Sequence, residues 1–133
     1  MIQQGFSIGN RDWWIMIYYA ISQENLNEVY QTLLASGCED YKAQRACMIL
    51  SRKNKGYTYT NFTQHSTVVF ISETTSPEQM YDTIQHELKH IVEHISEYYD
   101  VDSKSEEAAY LQGEIGRMMF PAAAMVICPK CNH

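Results

Sequence analysis

The sequence predicts an α+β domain, with helices packed on a small mixed sheet. Three observations carry this. Short aromatic and β-branched runs alternate with longer segments whose apolar residues recur every three to four positions. Most of those longer segments begin at an N-cap candidate or end near Gly or Pro. The chain has 133 residues, which is one domain's worth.

Taken in order, Trp13 to Ile21 is aromatic and branched, set between "GNRD" and "SQEN", and reads as a buried strand. Ser22 caps a helix expected over Gln23 to Ala35, with Leu26, Val29, Leu33 and Leu34 on one face and Gly37 closing it. A second helix fits Asp40 to Lys53, with Ala43, Ala46, Cys47 and Leu50 inward and Gly56 beyond its end. "YTYTNF" (57–62) and "TVVFIS" (67–72) flank the polar "TQHS" and read as a hairpin. The second of these strands is apolar on both faces. In "TSPEQM", Ser76 is the N-cap, Pro77 takes the first helical position, and Gln79 falls where a capping box needs it. The helix it opens can run to about Tyr98, on a stripe of Met80, Ile84, Leu88, Ile91 and Ile95. A final helix is expected from Ser105 to Met119, stopped by Pro121. Residues 1–120 therefore read as a single domain, and 121–133 as a flexible tail.

Composition narrows the function. A net charge of −6 without any Lys/Arg run disfavours a nucleic-acid partner, because phosphate contacts need clustered cations. "WWIMIYYAI" and "MMFPAAAMVIC" are too short to span a bilayer, and "MIQQGFSIGN" has no signal-peptide pattern. Four cysteines are too few for a disulfide scaffold. A soluble, cytoplasmic protein with no membrane partner is expected.

The chemistry concentrates in "TIQHELKHIVEH" (83–94). His86 and His90 are four apart, so on a helix their imidazoles share one face and can aim at one ion. Glu87 is turned about 100° from His86. That is too far round for a ligand but suits a general base beside a metal-activated water. The same spacing also occurs on plain helix surfaces. Here the pair flanks the core stripe on a well-capped helix, which favours a site. His94 lies about 12 Å along the axis from His86, too far to share the ion, and reads as an exposed residue before a cleft residue.

The missing ligand is expected to be a carboxylate from "SEEAAYLQGEI" (105–115). Neighbours on a helix differ by about 100°, so only one of Glu106 and Glu107 can point at the ion. Glu106 shares its face with Tyr110 and the small Gly113, which would let the two helices approach closely, and is preferred. Glu107, followed by Ala108, stays open. Acidic residues in a first turn also simply suit the helix dipole.

H-E-x-x-H followed by a Glu on a second helix resembles the gluzincin group of zinc metallopeptidases. The size and the "SEExAYLxG" ending resemble small single-domain members from bacteria and phages. The specific part covers five residues; the softer resemblance runs from Thr67 to Ile115. It implies a zincin-like fold with an active-site helix and a Glu-bearing C-terminal helix. It implies Zn2+ held by His86, His90 and the Glu, with water in the fourth position and Glu87 as its base. It also implies that "TVVFIS" borders the cleft and pairs with an extended peptide or protein substrate. An oxyanion-stabilising side chain is expected from Tyr110, His94 or Tyr98. The rival expectation is a non-catalytic accessory protein of phage or mobile-element origin that keeps the fold to bind a partner. "CPKC" (128–131) with His133 is half of a structural zinc pattern, outweighed by the reading of a thiol-bearing tail.

Overall fold

A computed structural model describes residues 1–9 and 11–128. The architecture is α+β. Strands β1 (Ile2–Ser7), β2 (Trp14–Ile21), β3 (Gly56–Asn61) and β4 (Ser66–Ser72) form one mixed sheet in the order β1-β2-β4-β3. β2 and β4 are parallel; β1 and β3 run antiparallel to their neighbours. Helices α1 (Leu26–Ala35) and α2 (Asp40–Leu50) follow β2, and α3 (Pro77–Tyr98) and α4 (Glu106–Ile127) follow β4.

Each face of the sheet is covered by one helix pair, and the strand alternation decides which residues go where. Ile15, Ile17, Tyr19, Val69 and Ile71 face α3 and α4. Met16, Tyr18, Val68 and Phe70 face α1 and α2. This is why the central strands are apolar on both faces. The alternation breaks once. Ala20 takes a positive φ of 61° where the β2–β4 register shifts. This irregularity turns Ile21 onto the α1/α2 face, although Tyr19, two residues earlier, packs on the other.

The elements expected at β2, α1, α2, β3, β4 and α3 all form, within a few residues of the expected ends; the turn Gln23–Asn25 before α1 is a 3-10 helix. Two departures matter. β1 is an additional strand. Its alternation of Ile2, Gln4 and Phe6 is masked by glutamines, and it is an edge strand inward on one side only. Gly5 leaves room there for the Trp14 ring, which a Cβ would meet at 2.5 Å. The second departure corrects the expected end at Pro121. α4 runs through this proline to Ile127. Pro121 is exposed, while Ala122 and Ala123 are buried in the core and Val126 and Ile127 pack against it. That burial offsets the lost backbone hydrogen bond. Residues 121–127 are therefore helix, not tail. Among the described residues, no helix is long and apolar enough to cross a membrane.

α3 and α4 pack antiparallel. Leu88 lies against Gly116, Ile84 faces Ala123 across an apolar groove, and Ile95 and Ser96 lie near Glu107 and Leu111. α3 ends without glycine. Asp100 takes φ 56°, its N–H bonds Glu97 O, and Val101 N–H bonds Ser96 O at 2.8 Å. This is a Schellman closure built on Asp. Ser105 then caps α4, accepting from Ala108 N–H.

Candidate metal centre

The capped register of α3 places the H-E-x-x-H residues. The Ser76 hydroxyl accepts from Gln79 N–H at 3.1 Å, with Pro77 in the first turn. Met80, Ile84, Leu88, Ile91 and Ile95 are buried as a stripe. His86 and His90 fall on the opposite, solvent-facing side, which corrects their expected place on the flank of the stripe. Their Nε2 atoms stand 3.1 Å apart as a hydrogen bond, one ring donating and the other accepting. Two ligands of one tetrahedral zinc at 2.0–2.1 Å would stand about 3.4 Å apart, so an ion held by this pair would replace the hydrogen bond and its proton. A carboxylate oxygen of Glu93 lies 3.9 Å from Nδ1 of His90.

Glu87 is turned from this face into the protein and is 3% exposed. It lies against β3, where the Thr58 hydroxyl donates to its Oε1 at 2.8 Å. A Cβ on Gly56 would come within 2.6 Å of the Glu87 carboxyl group. The Glu87 side chain thus occupies space that only glycine leaves. Glu87 and His86 both line a cleft of about 230 Å³, shared with Lys55 and Asp82.

Further along the strand, a buried hydrogen-bond chain ends at His94. The Trp13 indole N–H donates to Thr67 Oγ1 at 3.0 Å. Thr67 and Thr60 hydroxyls are 2.9 Å apart, and Thr60 Oγ1 is 2.8 Å from His94 Nδ1. An indole can only donate. Passing each hydroxyl proton onward makes Nδ1 of His94 the acceptor. Burial first, and then His90, push the His94 pKa below its ordinary value. His94 is therefore a half-buried residue tied to β3, which corrects the exposed reading.

The remaining expected residues lie elsewhere. Glu106 and Glu107 open α4 beside the end of α3. In the antiparallel pairing they lie about nine residues, or roughly 13 Å, along the axis from the His86–His90 level. Glu107 forms an ion pair with Arg11 at 3.0 Å, and Glu106 is exposed. The structure does not bring either carboxylate to the histidines, because α3 continues for two turns beyond His90 before the chain reverses. Tyr110 is 74% exposed in a shallow depression with Arg11, Glu107 and Glu114, away from the imidazoles. The Tyr98 hydroxyl pairs with His65 Nε2 at 2.6 Å. Of the three expected oxyanion partners, His94 is the one beside the pair, its ring 6.3 Å from that of His90. Among the described residues, no three His, Cys, Asp or Glu side chains gather as a metal-holding group. Cys131 and His133 of the C-terminal pattern lie outside the described residues.

The strand expected to border the cleft is also corrected. β4 is paired on both sides, with β2 and β3, and has no free edge. The strand beside Glu87 and His94 is β3, at the sheet's edge. Gly56, Thr58 and Thr60 were passed over at the sequence level. Their period of two, small or hydroxyl-bearing, is the pattern that would have marked a polar contact face.

No family model, curated protein or solved structure matches the chain.

Proposed function

We propose that the chain is a zinc-dependent metallopeptidase with a small zincin-like fold. The observation that carries this is the 3.1 Å contact of the His86 and His90 Nε2 atoms within H-E-x-x-H, with Glu87 lining the same cleft as His86. His86 and His90 would hold the ion. Zinc, when bound, polarises a carbonyl and lowers the pKa of a coordinated water. The chain's own part is proton handling and orientation. Thr58 donates to Oε1 of Glu87, which fixes the carboxylate and leaves Oε2 to take a proton from the attacking water. The outer edge of β3 offers backbone donors and acceptors to an extended peptide substrate. His94, held through Thr60, supplies an imidazole at the far side of His90.

A second reading, a non-catalytic accessory protein built on the same fold, is favoured by the Arg11–Glu107 ion pair, which engages one of the carboxylates a third ligand would use. One experiment separates the two. The zinc-supplemented protein and its Glu87→Gln variant are offered a peptide library, and both are assayed for zinc. Cleavage that falls about 10²–10⁴-fold in Glu87→Gln, with zinc retained, supports the peptidase. Equal inertness of both proteins with zinc bound refutes it and supports the binder.

A further inference from the structure

We propose that His86 and His90 are half of a four-imidazole zinc site, completed by the same two histidines of a second copy of this chain. The inference rests on the metal-binding half of the reading above and not on hydrolysis. Zinc in a protein site takes four ligands in a tetrahedron. The pair supplies two, whose Nε2 atoms already stand 3.1 Å apart, hydrogen-bonded to each other. Both rings are reachable: His86 is exposed, and the His90 side chain is 42% exposed. They stand on the α3 face opposite the buried stripe, where another helix can approach without disturbing the core. Glu106 and Glu107 lie at the other end of the α3–α4 pair, Glu107 held by Arg11, and Glu114 is turned towards Gly9.

A two-fold axis through the ion makes such an interface self-complementary, since each copy gives and receives the same two residues. The charges around the pair make the association depend on the ion. Asp82, Glu93 and Glu97 lie along this face against Lys89 and the cleft residue Lys55, and each copy carries a net charge of −6. Two such faces repel without a cation between them, and a divalent ion at the axis reverses the sign of the contact. A four-imidazole shell has no position left for water or substrate. The hydrolytic form would then be the monomer, and pairing would silence it.

The test is the solution mass and zinc content of the full chain, by light scattering and metal analysis, with and without added Zn2+. The expected result is a monomer near 15.4 kDa with chelator. With zinc, the mass doubles and one zinc is bound per two chains. His86→Ala and His90→Ala, both solvent-facing, should fold normally by circular dichroism and lose both effects. One zinc per chain at monomer mass overturns the proposal while leaving the metal centre intact. No zinc binding overturns both. A dimer that forms with chelator, or that survives His86→Ala, overturns the proposal as well.

Discussion

Glu87 illustrates how one residue's role is divided between its own helix and a neighbouring strand. Its position in α3 comes from the helical repeat, but its carboxylate is set by Thr58 and by the missing side chain of Gly56. The Gly56→Ala substitution should cost about 1–3 kcal/mol, the usual penalty for overfilling a packed site. In a Glu87→Ala background the carboxyl group is gone, and the same substitution should cost less. Urea unfolding of the four proteins measures this. A coupling above about 0.5 kcal/mol is expected, and additive costs would show that the two residues do not compete for space.

Among the elements, α4 shows burial overruling a local breaker. The proline is a sound stop signal in sequence because it lacks an N–H and crowds the preceding turn. The chain beyond it is short-sided and apolar, and packing Ala122 and Ala123 into the core keeps the helix going. Because Pro121 itself is exposed, Pro121→Ala should restore a backbone bond without loss of packing. The variant should be more stable by up to about 3 kcal/mol, read from its denaturation midpoint. An unchanged midpoint would mean that the missing bond at Pro121 costs the folded chain nothing. β1 shows the converse. Its pattern is weak in isolation and is made a strand by pairing with β2 from Ile2↔Tyr19 to Ser7↔Trp14.

Over the whole molecule, stability against pH should carry the mark of His94. Its folded pKa lies below the ordinary value, chiefly through burial, while the unfolded chain titrates near 6.5. Below that pH the unfolded chain gains a proton that the folded chain refuses. The contribution is therefore full above pH 6.5 and is lost as pH falls towards the folded value. Metal-free wild type should lose more melting temperature between pH 7.5 and 5.5 than His94→Gln, which lacks the titrating ring. Parallel pH profiles would assign the acid sensitivity to other groups.

Most secondary structure and the two-histidine core of the site were legible in the sequence, because both depend on local spacing. Capping at Ser76 and the 3.6-residue repeat suffice to place His86 and His90 together, with Glu87 off to one side and His94 two turns from His86. What tertiary structure decided was everything that depends on where separate elements meet. The length of α3 beyond His90 and the antiparallel return of α4 carry Glu106, Glu107 and Tyr110 away from the imidazoles. The sheet order puts β3, rather than β4, at the open edge, and brings Thr58 and Thr60 to Glu87 and His94. Periodicity states which way a residue faces along its own element. It carries no information on how far the next element travels before it turns back, and that distance decided which carboxylates reach the histidines.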